Sequence, residues 1–258
     1  MSARRLIATL AQKGGVGKTF LAKVFHDLLP VHGRSVASWD LDAATGTFAV
    51  YDDAIKTFDL TAGNNTESWL DDCHRDDVDD VIIDVPGGRI DDLLRTFGDD
   101  STEALVSTVL ATGRELVVAT PIGVMIAETV TAQVVLNAFA GTPARIVVVQ
   151  NGRFGSPADF IIYNGLDVDG ERRYGATSDL AERLGAETLY FNAFSQSVLA
   201  QVDAERLRLI EAAGPVGSKR LGRLASTRLQ INLHVAGSDL RGSSLDLNGV
   251  IPERDAKQ

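Results

Sequence analysis

Short apolar runs alternate with stretches of helical period along most of this chain. Residues 4–11 form an apolar run that predicts a first strand, and residues 12–17 form a glycine-rich loop. Residues 18–31 then place Leu21, Val24, Phe25, Leu28 and Leu29 at helical spacing, and Gly33 stops the helix. Residues 35–41 predict a second strand, with Asp40 and Asp42 at its end. Residues 55–62 predict a strand and residues 66–74 a short helix. Residues 78–85 predict a buried strand ending in Asp84 and closed by Pro86, Gly87 and Gly88. Further strands are expected at 115–121, 145–150 and 186–191, and helices at 127–140, 195–213 and 218–235.

Strands that alternate with helices imply right-handed crossovers. The expected fold class is therefore α/β, a mostly parallel twisted sheet with helices on both faces. The expected organisation is one domain over residues 1–236. Within it, 152–175 is read as a loop insertion and 215–236 as a C-terminal helical segment. Residues 237–258 have weak periodicity and are read as a partly disordered tail.

Bulk properties narrow the classes. The 258 residues are 45% hydrophobic, enough for a sizeable core. No apolar run reaches the roughly 18 residues of a membrane-spanning helix, and the N-terminal apolar stretch is too short for a secretory signal. A cytoplasmic location is the expectation. Cys73 is alone, and neither it nor the four histidines show zinc-ligand spacing. The formal net charge of −10 argues against a surface that is nucleic-acid-binding throughout, though not against a local basic patch. Much of the acidity falls between Asp71 and Asp100, read as a solvated face.

The strongest chemical signal is Lys13-Gly14-Gly15-Val16-Gly17-Lys18-Thr19 between a strand and a helix. Such a turn aims backbone N–H groups at one point, and the helix N-terminus and a lysine add positive charge. The expected ligand is ATP with Mg²⁺, Lys18 reaching the outer phosphates and the Thr19 hydroxyl reaching the metal. Phe20 follows on the same helix turn. Asp84 lies at the C-terminal end of an apolar strand, where α/β sheets bind ligands, and suits Mg²⁺. Asp40 and Asp42 alternate on one strand and so share a face. One of them could orient an attacking water.

These motifs, in this order, resemble the deviant phosphate loop of the ParA/MinD ATPases over roughly residues 4–212. Within that superfamily the chain is most similar to TraL-type proteins of conjugative plasmids, through Asp42 with Thr47-Phe48, residues 81–84, residues 115–118, and Asn151 before an aromatic-glycine loop. The resemblance implies that Lys13 reaches the phosphates of a partner subunit in an ATP-bound homodimer. It implies that Asp42 positions the hydrolytic water, with Asp40 supporting it or the metal shell. It places Asn151 as an adenine-reading residue, a turn asparagine being the alternative. Ala43 and Ala44 replace the family's usual Pro-Gln, which bears on the hydrolysis rate. No basic amphipathic C-terminal helix is present, so no membrane anchor is expected.

Lys219, Arg220 and Arg223 could share one helix face in a basic stretch that includes Arg228 and could hold DNA without sequence preference. The alternative is a solvated face packed by Leu221, Leu224, Leu229 and Ile231. The expected function is an ATP-hydrolysing switch acting in plasmid DNA transfer, partition or positioning of cargo, with an activating protein or cargo adaptor as partner. A P-loop enzyme for small-molecule chemistry and a weakly hydrolysing scaffold are the alternatives.

Overall fold

The computed structural model describes residues 2–42, 46–60, 68–97 and 101–251. The elements run β1 (Arg5–Thr9), α1 (Lys18–Val31), β2 (Val36–Asp40), a 3-10 turn (Ala49–Tyr51), β3 (Lys56–Thr57), α2 (Ser68–His74), β4 (Asp80–Asp84), α3 (Ile90–Arg95), α4 (Thr102–Ala111), β5 (Glu115–Ile122), α5 (Ile126–Ala138) and β6 (Arg145–Asn151). There follow α6 (Ile161–Asn164), β7 (Leu166–Val168), β8 (Glu171–Arg173), α7 (Ala176–Arg183), β9 (Glu187–Phe191), α8 (Gln196–Ala204), α9 (Leu209–Ala212), α10 (Pro215–Arg220) and α11 (Arg223–Asp239).

Seven strands form one parallel sheet in the order β3-β2-β4-β1-β5-β6-β9. Neighbouring parallel strands need crossovers, and helices supply them on both faces. Alternate residues divide the core. Leu6, Ala8, Val81 and Ile83 face α2 to α7, with Trp69, Leu93, Val109, Leu136 and Tyr163. Ile7, Ile82, Val117 and Val147 face α1, α8, α9 and α11, with Phe25, Leu29, Val202 and Leu233. Burial on both faces explains why β1, β4 and β6 read as continuous apolar runs rather than alternating ones.

Several elements differ from the sequence reading, each for a local reason. The acidic stretch after Asp71 is not wholly solvated. Asp72 is buried and accepts hydrogen bonds from Trp39 Nε1 at 2.9 Å and Lys56 Nζ at 2.7 Å. Helix α3 buries Ile90, Leu93 and Leu94 within the acidic region, and α4, just after it, buries Leu105 and Val109. Residues 152–175 carry α6 and an antiparallel β7–β8 hairpin rather than a plain loop. The helix expected over 195–213 breaks at Arg206, whose φ is +48°. The break lets Leu209 N donate to Tyr51 OH and Ile210 N donate to Asp27. The helix expected over 218–235 divides at Gly222, with φ +88°, so Lys219 and Arg220 lie on α10 and Arg223 on α11. Of the strand expected over 55–62, residues 56–57 pair; 61–62 lie outside the described residues, as do Ala43, Ala44 and Thr66.

The segment after Gly237 is likewise no loose tail as far as it is described. Leu240, Leu245 and Leu247 are buried against α1 and α11. A buried charge cluster at the N-terminal edge of the sheet holds it. Arg5 and Asp80 are fully buried, and Arg5 Nε donates to Asp80 Oδ1 at 2.8 Å. Arg34 also donates to Asp80, through Nε and through Nη2 at 3.0 Å. Two guanidiniums on one carboxylate leave surplus donors. Arg5 Nη1 satisfies them on the carbonyls of Asp246 (2.7 Å) and Ser244 (3.2 Å), and Arg34 Nη2 on that of Ala3 (2.7 Å). The C-terminal segment thus completes a cluster that would otherwise be under-bonded. Asp80→Ala leaves both cations unpaired and is expected to cost about 3–5 kcal/mol in urea unfolding. Replacing the exposed Asp76 should leave the midpoint unchanged.

Candidate functional site

The site forms where the C-terminal ends of β1, β2 and β4 meet. Because β1 lies between β4 and β5, the loop that follows it emerges at the middle of the sheet edge. Gly15 and Gly17 have φ of +80° and +110°, the left-handed region that disfavours side chains. Gly87, in the turn after β4, packs so closely that an added Cβ would lie 3.1 Å from Gly14 N. Among the described residues, the backbone N–H groups of Gly14 to Thr19 donate to no protein acceptor. They form a concave set of free donors at the N-terminus of α1, which suits a polyphosphate.

Beneath the loop, register places Thr9 beside Asp84. Thr9 Oγ1 donates to Asp84 Oδ1 and Thr19 Oγ1 to Asp84 Oδ2, each at 2.6 Å. Asp84 is 5% exposed. Burial pushes its pKa up to about 6, the two hydroxyls opposing the rise and Asp40 adding to it. Lys18 is buried too, and its Nζ donates to the carbonyl of Lys13 at 3.3 Å. Burial lowers the Lys18 pKa, while the charges of Asp84 and Asp42 act against that shift. A hydroxyl and a buried carboxylate side by side are hard oxygen donors fitted to Mg²⁺, which takes few protein ligands beside a phosphate. Among the described residues no group of three or more His, Cys, Asp or Glu side chains forms a separate metal cage.

The other expected residues fall as follows. Asp40 is buried, and its carboxylate accepts from the backbone N–H of Asp42 (2.9 Å), Phe48 (2.8 Å) and Ala49 (2.9 Å). It thereby braces the segment that carries Asp42. Asp42 pairs across an isolated bridge with Asp59 and lies near enough to Lys18 to act on its charge. Asn151 is buried and holds the loop itself: Nδ2 donates to Val16 O at 2.8 Å, and Oδ1 accepts from Arg153 N at 3.0 Å. Its amide is committed to the loop's shape rather than presented openly to a base. Phe20 meets Phe194 edge-on at 4.9 Å. A cleft of about 420 Å³ runs from Gly15, Gly17, Lys18 and Thr19 past Phe20 and Phe194 to Gln196, Leu199 and Asp203, a size and polarity suited to a nucleoside beyond the phosphates. Lys219, Arg220, Arg223 and Arg228 are exposed and line no part of it; Arg220 is paired with Glu205 at 2.7 Å.

Lys13 lies outside its own phosphate cradle. Its side chain is 43% exposed, and its Nζ is 3.1 Å from Glu128 Oε1 on α5. Sequence reasoning missed Thr9, Glu128 and Phe194. Thr9 becomes legible once β1 and β4 are neighbours, whereas nothing local marks Glu128 or Phe194.

The fold and this edge set a glycine-rich loop at the end of a parallel sheet, with a hydroxyl–carboxylate pair beneath it. No protein-family model and no curated protein matches the sequence. Among solved structures, several are similar to the chain over most of its length. The septum-site-determining protein MinD of Pyrococcus horikoshii OT3, complexed with Mg-ADP, is 15% identical, over 92% of this chain and 99% of that one, at a TM-score of 0.49. A chain of the MinC:MinD cell division protein complex of Aquifex aeolicus is 12% identical, over 90% and 95%, at 0.48. A candidate plasmid partition protein of Borrelia burgdorferi B31 bound to AMPPNP is 12% identical, over 76% and 89%, at 0.44. Among the described residues no helix is long and apolar enough to cross a membrane.

Asp84 gives a pH test. Its folded pKa lies above the ordinary value near 4, so between roughly pH 4 and 6 the ligand-free folded protein binds more protons than the unfolded chain. This group's contribution therefore falls as pH rises through that window, by about 2–3 kcal/mol. Asp84→Asn removes a buried charge that the two hydroxyls and Lys18 only partly offset. The ligand-free variant should be more stable than wild type at pH 7.5 in urea unfolding, and the two should converge near pH 4. A variant less stable at pH 7.5 contradicts the assignment.

Proposed function

We propose that this chain is an ATP-binding and ATP-hydrolysing switch of the ParA/MinD kind, which dimerises on ATP and acts on DNA or a cargo. The observation that carries this reading is the contrast between the two lysines of one loop. Lys18 is buried inside the cradle, beside Asp84 and Asp42. Lys13 sits outside it and half-exposed, where it serves a neighbouring subunit better than its own. The adjacent helix supports such a neighbour. Met125, Ile126, Val130 and Val134 form an exposed apolar strip along α5, whose one charged residue is Glu128. An apolar strip of this kind suits association of two chains that each carry a formal −10.

Each residue then has a task. The free N–H groups of residues 14–19 and the Lys18 ammonium hold the polyphosphate. Thr19 and Asp84 would hold Mg²⁺, which neutralises phosphate charge when bound. Asp42 orients the attacking water, and Asp40 keeps the Asp42 segment in place. Phosphoryl transfer depends on positioning and charge stabilisation, so a weak base in the Asp42 position suffices. Lys13 adds positive charge from the second subunit. Lys219, Arg223 and Arg228, exposed at the α10–α11 junction, would contact duplex phosphates. Their side chains carry no base-reading pattern, so binding would be sequence-independent and salt-sensitive. Plasmid transfer and partition are the processes this chemistry fits, with an adaptor or activating protein setting the turnover.

Light scattering with ATP separates the two lysines. Lys18→Ala should lose nucleotide binding and dimerisation together. Lys13→Ala should keep ATP binding within a few-fold and lose the dimer. Loss of ATP binding in both would merge the lysines into one role and contradict the reading. Val130→Asp, on the apolar strip, should weaken the dimer at least tenfold by sedimentation, since it buries a charge at the contact, and leave ATP affinity unchanged.

A further inference from the structure

The contact that holds Lys13 also assigns a role to Glu128, and this inference rests on the two-subunit reading above. The Glu128 carboxylate is fixed by the fold. Its Oε2 accepts from Met125 N at 3.2 Å, closing the first turn of α5, and its side chain is only 10% exposed. Gly123 leaves room for it: a Cβ there would lie 2.1 Å from Oε2. A side chain capping a helix, seated over a glycine and facing a loop lysine is a built position rather than a chance surface pair. Lys13 brings one ammonium to it, at 3.1 Å. While that ammonium is paired within its own subunit, it is withheld from a phosphate in another.

We propose that Glu128 is a positioning residue that parks Lys13 against its own subunit until a nucleotide-loaded partner competes for it. The pair then sets the ATP concentration at which two subunits associate. Release also leaves Glu128 without its cation at the head of α5, beside exposed Met125 and Ile126, so the state of Lys13 is reported to the apolar strip. A half-exposed ion pair is a weak holder, which suits a latch that must open.

The test uses Glu128→Gln in the full chain. Glutamine keeps the acceptor for Met125 N and the shape beside Gly123, and removes the charge. In the nucleotide-free protein, the rate of Lys13 acylation by an amine-reactive reagent is read by peptide mass spectrometry against exposed Lys219. It should rise several-fold in the variant. The ATP midpoint for dimerisation, by light scattering, should fall about three- to tenfold. In a Lys13→Ala background, which does not dimerise, Glu128→Gln should change neither the ATP affinity nor the urea-unfolding midpoint. Glu128→Asp, which keeps the charge but shortens the reach, should move Lys13 reactivity and the midpoint the same way by less, and guards against a folding defect. A wild type that dimerises and a glutamine variant with an unchanged midpoint overturn the latch while leaving the two-subunit reading intact. A wild type that stays monomeric with ATP overturns both. Equal effects with and without Lys13 reduce Glu128 to a structural cap.

Discussion

The carboxylate of Asp84, buried at the end of β4 and gripped by two threonine hydroxyls, is the point on which the rest of this site depends. It joins the sheet to the phosphate loop: Thr9 comes from β1, Thr19 from α1, and Asp84 from the strand between β1 and β2. The strand order makes the meeting possible, since β1 must sit next to β4 for its last residue to reach Asp84. The hydroxyls and the charge of Lys18 ease the burial without offsetting it fully. The position is therefore electrostatically incomplete in the protein alone, as expected where a cation binds.

The same strand carries the opposite solution at its other end. Asp80 and Asp84 are four residues apart, and both are buried. Asp80 meets two guanidiniums and is over-compensated, the surplus donors being absorbed by carbonyls of the C-terminal segment. That arrangement is closed and structural. Asp84 is left under-compensated at the edge that opens to the cleft. One strand thus anchors the chain at one edge of the sheet and prepares chemistry at the other.

Much of this was legible in the sequence because it depends on short-range pattern. The glycine loop, its lysines, Thr19 and the strand-ending aspartates follow from local spacing, and the parallel sheet follows from the alternation of strand and helix. What was not legible depends on contacts between distant segments. Asn151 could be read as an adenine-reading or a turn residue, and its hold on Val16, 135 positions away, has no local signature. Asp40 reads as supporting Asp42 or the metal shell, and the contacts that fix it, from the backbone N–H groups of Asp42, Phe48 and Ala49, have no local signature. Arg5 and the segment around Asp246 are 241 positions apart, so a weakly periodic stretch read as a tail although Arg5 holds it. The helix breaks at Arg206 and Gly222 were hidden because the apolar period continues across both.

The most direct test of the account is calorimetric titration of the wild-type protein with ATP, once with Mg²⁺ in excess and once with the metal chelated. The donor set of Thr19 and Asp84 predicts tight binding with Mg²⁺ and affinity at least tenfold weaker without it, because the buried carboxylate then faces phosphate with no cation between them. Equal affinity in the two titrations would contradict the assignment of Asp84 to the metal. No binding in either would contradict the phosphate loop itself.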